Sequence, residues 1–355
     1  MTPPPAAAIG PLPVPLSVEP APPGSGVRLA GVDLARALAV FGLYAAYVGP
    51  DPSMGGVGGF LVGLAQGRAF GLFAFLAGFS VLLMTGRRTP KTGREGRRAV
   101  TKVVIRAVIL LALGTALALT GIAAEMILAG IGVCLLLVLP LRRLGAGPLA
   151  ALSFGASLFL PQLVSAVQRA PAVDDASAGA GSDLVELLLF PGSYSALTWI
   201  PYSLAGMAVA RLDLSVMLVR IRLAVTGGVL ALVGHGGAWL STAAPHGRST
   251  LAVLGNTGVA LAVLVGCVAV TAKARPRLLL GPVLAVGAMS LTAYVFLIAV
   301  SGLPGGTQSR DVPLLVPVVF IGIITLFARD WLRHFERGPL ESVLHGATRI
   351  ADRIR

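Results

Sequence analysis

The run RLAGVDLARALAVFGLYAAYVG, residues 28–49, decides the fold. It is long enough to cross a bilayer as a helix, yet it carries an aspartate and an arginine within the apolar residues. At about 100° per residue, Asp33, Arg36, Tyr44 and Tyr47 fall within roughly 80° on one face. Leucine, alanine, valine, phenylalanine and glycine fill the rest of the circumference. A charge at the centre of a lipid-facing helix costs about 2.5–3.5 kcal/mol on insertion scales. The polar stripe therefore faces other helices or a watery cavity, and the chain is expected to form a bundle around it.

Composition agrees. Of the 355 residues, 55% are hydrophobic and 12% charged, and the mean hydropathy is +0.86. A soluble domain carries about 25% charged residues. The net charge of +13 first evokes nucleic acid, but most Lys and Arg sit in short loops between apolar runs. That placement is a topology signal and argues against a nucleic-acid partner. Cys134 and Cys267 each lie within an apolar run and read as packed thiols. No metal-ligand spacing, nucleotide loop or Ser–His–Asp pattern can be assembled.

Ten apolar spans follow, at about 29–49, 59–84, 103–121, 124–140, 148–168, 186–210, 223–241, 251–271, 279–302 and 312–328. The loop holding Arg87, Arg88, Lys91, Arg94, Arg97, Arg98 and Lys102 marks the cytoplasmic side. Alternation puts Arg142, Arg143, Arg211, Arg220 and Arg222 there too. The expected fold is an all-α, polytopic integral membrane protein of about ten helices with both termini cytoplasmic.

Three segments are expected. Residues 1–27 are Pro- and Ala-rich and read as a disordered cytoplasmic tail. Residues 28–328 form the transmembrane domain. Residues 329–355 form a cytoplasmic amphipathic tail, in which Pro339 opens a helix with Glu341 in its first turn and an apolar stripe through Leu340, Leu344 and Ala347.

The intramembrane charges are the main functional signal. Asp33 and Arg36 are spaced to pair on one helix. Arg68 stands beside a glycine ridge (Gly59, Gly63, Gly67, Gly71), roughly 13 Å deep. It either reaches Asp33, or binds carbonyls at a broken helix, or joins Arg36 in holding an anion. Tyr202, with Ser195 and Thr198, Asn256 with Thr257, and Ser290 with Tyr294 supply further polar groups within spans. Each is read first as an interhelical hydrogen bond and second as a substrate contact. His235, between Gly234 and Gly236, is the one histidine inside a span and so the one membrane-embedded candidate for a general base.

Two pairs of motifs carry a resemblance. Arg28-x4-Asp33-x2-Arg36 followed by Phe41-Gly42, and Gln66-Gly67-Arg68 with Phe73-Ala74-Phe75-Leu76-Ala77-Gly78, open the chain. Gly287-x-Met289-Ser290-Leu291-Thr292-x-Tyr294 and Phe335-x2-Gly338-Pro339-Leu340-Glu341 close it. Together they resemble the YeiB-like bacterial membrane proteins and, more distantly, the heparan-α-glucosaminide acetyltransferase relatives. The resemblance implies acyl or acetyl transfer from a cytoplasmic acyl-CoA co-substrate to a sugar or lipid-linked acceptor. Arg36 and Arg68 would then bind the donor, with Tyr47, His235 and Asp33 as catalytic candidates and Asn256, Ser290 and Tyr294 as substrate contacts. This sequence has Tyr47 where those enzymes place a histidine, Val295 after Tyr294 where a histidine is common, and Ser342 where a tryptophan is usual. Transport of a small anionic or amphiphilic molecule, or a non-catalytic binding role, stays open beside acyl transfer.

Overall fold

The computed structural model describes residues 25–118, 127–169, 196–240, 250–273, 279–301 and 313–349. Every regular element among them is helical. In chain order these are α1 (Ser25–Val48), α2 (Gly56–Ala65), α3 (Arg68–Thr85), α4 (Gly93–Ala118), α5 (Ile127–Val138), α6 (Ala146–Arg169) and α7 (Ile200–Ala210). They continue as α8 (Met217–Leu240), α9 (Thr250–Thr271), α10 (Gly281–Ala288), α11 (Ser290–Ser301), α12 (Leu315–His334) and α13 (Pro339–Thr348).

Among the described residues, seven helices or helix pairs are long and apolar enough to cross a membrane: α1, α2 with α3, α4, α6, α8, α9 and α12. The pair α10 and α11, bent by 83°, makes an eighth if it is one span. The two remaining apolar runs coincide with α5, 12 residues, and α7, 11 residues. A crossing needs about 20 residues at 1.5 Å each, and the described part of each run is shorter than that. Residues 124–126 and 186–195 of those runs, with Ser195, lie outside the described residues, as do residues 1–24 of the expected tail.

Helices α1, α3, α7 and α9 form the centre. Helix α1 packs on α3, α9 and α10, while α3 packs on α7. Small residues set these distances, as expected where helices associate without a hydrophobic drive. A Cβ on Gly78 would overlap the Ser203 carbonyl, and one on Gly206 would overlap the Phe75 carbonyl. Ser203 Oγ donates to the Ala74 carbonyl at 3.0 Å and meets Cys134 Sγ at 3.2 Å. Both cysteines are buried thiols. Helices α8 and α12 lie outermost and leave Val225, Val229, Leu232, Val318 and Leu326 exposed. Apolar side chains exposed along helices of spanning length are what lipid covers.

One end of the bundle is stapled by arginines. Arg211 donates from Nε to the Leu144 carbonyl at 3.1 Å and from its guanidinium to those of Gly86, Arg87 and Arg142. Arg87 answers with bonds to the carbonyls of Ala210 and Leu212 at 3.0 and 3.1 Å, and Arg88 pairs with Asp213. Three connections that the charge pattern assigns to one face thus meet at one face. Burial lowers the basicity of Arg211 from its ordinary value, and the carbonyls, which bind its charged form, oppose that. Arg211→Ala frees these carbonyls at a partly buried site. It is expected to lower stability by about 2 kcal/mol, read as thermal unfolding of the purified protein in detergent.

Two boundaries differ from the sequence expectation. Helix α1 begins at Ser25, within the expected tail. Helix α12 runs through Arg329 to His334, because its backbone bonds continue after the apolar face ends and its polar side chains reach water. Trp331 stacks on Phe335 at 4.5 Å as that helix closes.

Candidate functional site

A cavity of about 60 Å³ opens between α1, α3, α4, α5 and α11, with Arg36, Ser80, Arg106, Ser290 and Leu291 among its walls. The stripe on α1 supplies its first charge. Asp33 and Arg36, three residues apart, pair at 3.1 Å. The other branch of the guanidinium donates to Ser80 Oγ at 2.7 Å, and Ser80 donates on to the Leu76 carbonyl at 2.7 Å. Arg106 enters from α4. Among the described residues it has no hydrogen-bond or ion-pair partner, and it lies within electrostatic reach of Arg36 and Glu341. Two guanidinium groups therefore face one small space that accommodates a few waters or one polar group of a ligand.

The floor of this cavity is a broken helix. Helices α10 and α11 meet at Met289, whose backbone (φ −109°, ψ 32°) leaves the helical region. Two residues before the break, Gly287 lies against α1, where a Cβ would overlap the Asp33 carbonyl. The lack of a side chain lets α10 touch α1 beside the Asp33–Arg36 pair. Below the break, Tyr44 of α1 donates to the Ala293 carbonyl at 2.9 Å. Tyr294 is buried and its ring lies 6.1 Å from that of Phe73. Of the expected substrate contacts, Ser290 lines the cavity and Tyr294 packs in the core beside it.

The second polar centre lies elsewhere. The glycine ridge does not form one smooth helix, since Gly67 at φ +72° separates α2 from α3. That left-handed backbone suits glycine and strains other residues. The break exposes the carbonyls of the last turn of α2, and Arg68 donates to those of Gly63 and Leu64 at 3.0 and 2.9 Å. Its Nε donates to His235 Nε2 at 3.3 Å, which assigns the ring proton to Nδ1. Nearby, Asn256 Nδ2 approaches Tyr202 Oη at 3.4 Å, and Gly71 gives the Tyr202 ring room. Tyr47 packs edge-on against Phe70 at 5.9 Å.

The candidates thus divide into two groups. Asp33, Arg36 and Ser290 belong to the cavity; Arg68, His235 and Asn256 form the second centre, and Tyr47 packs beside Arg68's neighbour Phe70. Ser80, on the cavity, and Arg68 stand twelve residues apart on α3, about 18 Å of helix. Arg36 and Arg68 therefore do not grip one small anion together; the second guanidinium on the cavity beside Arg36 is that of Arg106. Of the alternatives for Arg68, carbonyls at a broken helix are what it binds. Among the described residues, no three His, Cys, Asp or Glu side chains cluster as metal ligands.

A helical bundle with several helices long and apolar enough to span, polar groups in its interior and apolar outer faces defines a multi-pass membrane protein. Residues 210–351 match the family described as "Protein of unknown function (DUF418)". The match runs from before the Arg211 staple through α13, so it contains His235, Asn256, Ser290 and Glu341 and leaves out Arg36, Arg68 and Arg106. Among curated proteins, none matches the chain.

Proposed function

We propose that this protein binds the anionic part of an acyl-CoA in the Arg36–Arg106 cavity and transfers the acyl group to a hydroxyl- or amine-bearing acceptor, such as a sugar or a lipid-linked sugar. The reading takes the bundle as ten spans in a bacterial plasma membrane, with the arginine-stapled end and both termini cytoplasmic. The observation that carries it is the pair of guanidinium groups on one cavity, one of them without a partner among the described residues. Guanidinium forks match phosphate and carboxylate, and a low-dielectric site strengthens that attraction.

In the transfer, the acceptor oxygen or nitrogen bonds to the thioester carbonyl carbon, the carbon–sulfur bond breaks, and the acceptor's proton passes to the departing thiolate. The Arg68–His235–Asn256 centre suits the acceptor, and a long pantetheine arm suits a separation of about 18 Å along α3. His235 can take a proton at Nε2 only after Arg68 releases it, since that lone pair is engaged. Tyr47 is a poor base at its ordinary pKa near 10, so proton transfer is assigned to His235.

The test is transfer of labelled acetyl and longer acyl groups from acyl-CoA in membranes carrying the protein, offered to a panel of sugar and lipid-linked acceptors. Arg106→Ala is expected to lower transfer at least about tenfold, the effect of losing one charged contact worth ~1.4 kcal/mol. Equal transfer by the variant, or none above background across the panel, contradicts the proposal.

A second reading, transport of an anionic or amphiphilic solute, rests on the two breaks at Gly67 and Met289. Discontinuous helices with polar groups at depth are how transporters build their sites. Net solute flux in proteoliposomes without CoA turnover would favour it.

A further inference from the structure

Two motifs far apart in the sequence close on one another. Glu341, at the start of α13, accepts at Oε1 from the N–H groups of Leu291 and Thr292 at 2.8 and 3.1 Å. Its Oε2 accepts from the Thr292 hydroxyl at 2.5 Å, and the Leu340 N–H donates to that same hydroxyl at 3.3 Å. Gly338 permits the approach, since a Cβ there would meet the Glu341 carboxylate and the Met289 side chain. Leu344, one turn on, is buried, and α13 also packs on α4, the helix that carries Arg106. The tail helix is thus docked into the bundle.

The position of this carboxylate is what matters. It occupies the first N–H groups of α11, the positive end of a helix broken inside the bundle. Ser290 and Leu291 at that same end line the cavity, and Arg106 lies within electrostatic reach of Glu341. The positive groups that would attract an anionic ligand therefore already attract a carboxylate that belongs to the chain.

We propose that Glu341 is a built-in competitor for the cavity: a tethered anion that latches α13 over the site and is displaced, with the N-terminal turn of α13, when an anionic ligand enters. This rests on reading the cavity as an anion site. Ligand and latch draw on the same charges and repel each other, so each weakens the other by the same factor. A carboxylate serving only as a helix cap predicts the reverse. Removing its charge would then loosen α11 and Ser290 and weaken ligand binding.

The experiment uses the full chain in lipid nanodiscs, wild type and Glu341→Gln, with inorganic pyrophosphate and acetyl-CoA as separate probes. Glutamine keeps the shape and one acceptor oxygen and removes the charge. Two results are expected together: both probes bind the variant about tenfold more tightly than wild type, and saturating either probe speeds amide hydrogen exchange in residues 339–348 of wild type several-fold. The exchange measurement needs no variant, so it decides even if Glu341→Gln folds poorly. Unchanged or slower exchange in wild type at saturating pyrophosphate overturns the latch, as does equal or weaker pyrophosphate binding by a folded variant. If pyrophosphate behaves as expected and acetyl-CoA binds neither protein, the latch stands and the acyl-CoA reading fails. If acetyl-CoA binds both proteins equally and leaves α13 unchanged, that reading stands and the latch fails. Binding of neither probe to either protein overturns both.

Discussion

Arg36→Ala is expected to destabilise the bundle by about 3 kcal/mol, the largest effect of any single side-chain truncation considered for this protein. The substitution removes the 3.1 Å partner of Asp33 and the 2.7 Å donor to Ser80 at once. It leaves a carboxylate in the middle of α1, beside the Asp33 backbone that α10 touches, where water reaches it poorly. Removing one member of such a pair costs more than removing both, because the survivor keeps its desolvation penalty. A cycle of Asp33→Asn, Arg36→Gln and the double variant, followed by thermal unfolding in detergent, measures the coupling. The double variant should be more stable than the sum of the single losses predicts. Additive losses would mean that the pair is not coupled across the cavity wall.

Gly287→Ala should have the next largest effect, and it comes from adding one methyl group. A Cβ at that position overlaps the Asp33 carbonyl, which is backbone and cannot turn aside. Helix α10 must back away from α1, at a cost of about 1–3 kcal/mol. That shift also moves Ser290 and the cavity floor. Gly322→Ala on α12 is the internal control, since a Cβ there meets nothing within 4 Å. Intrinsic helix propensity alone predicts that this control gains up to about 1 kcal/mol. Opposite signs for the two substitutions, read as thermal unfolding, are the expected outcome. Equal effects would contradict the close contact of α10 with α1.

Much of this arrangement was legible in the sequence. Asp33 and Arg36 share a face three residues apart, and lipid excludes such a pair, so periodicity alone turns them inward. The basic loops around Arg87, Arg142 and Arg211 were readable as one end because the positive-inside pattern is a rule of charge that needs no packing information. The breaks were harder. Gly67 looks like one more member of a four-residue ridge, and nothing local distinguishes a packing glycine from one held at positive φ. The Gly287–Met289 break depends on α1 passing close by, which is tertiary information.

Two residues, Arg106 on the cavity wall and Glu341 behind it, were missed for different reasons. Arg106 had a usable signal, being a charge inside an apolar run in the same way as Arg36. It follows Arg94, Arg98 and Lys102 on the helix that leads out of the basic loop, and so it reads as the last member of a surface series. Glu341 carried no such signal. In the sequence it is an acid in the first turn of a short helix, an ordinary place for one. Only the fold brings it to the end of a different helix fifty residues earlier. The two motifs that closed the resemblance, around Ser290 and around Pro339, are in contact through that one carboxylate.

The most direct test of the central claim is the thermal stability of the purified protein with and without acetyl-CoA and longer acyl-CoAs, in wild type and in Arg106→Ala. Arg106 is the better probe than Arg36, since its removal breaks no hydrogen bond or ion pair among the described residues. A ligand at 100 times its Kd adds about 2.7 kcal/mol to the form that binds it. The account predicts a rise in melting temperature for wild type that is lost in Arg106→Ala, with the unliganded proteins melting alike. No shift with any acyl-CoA, or the same shift in both proteins, would contradict it and leave the arginines of the cavity without the ligand assigned to them.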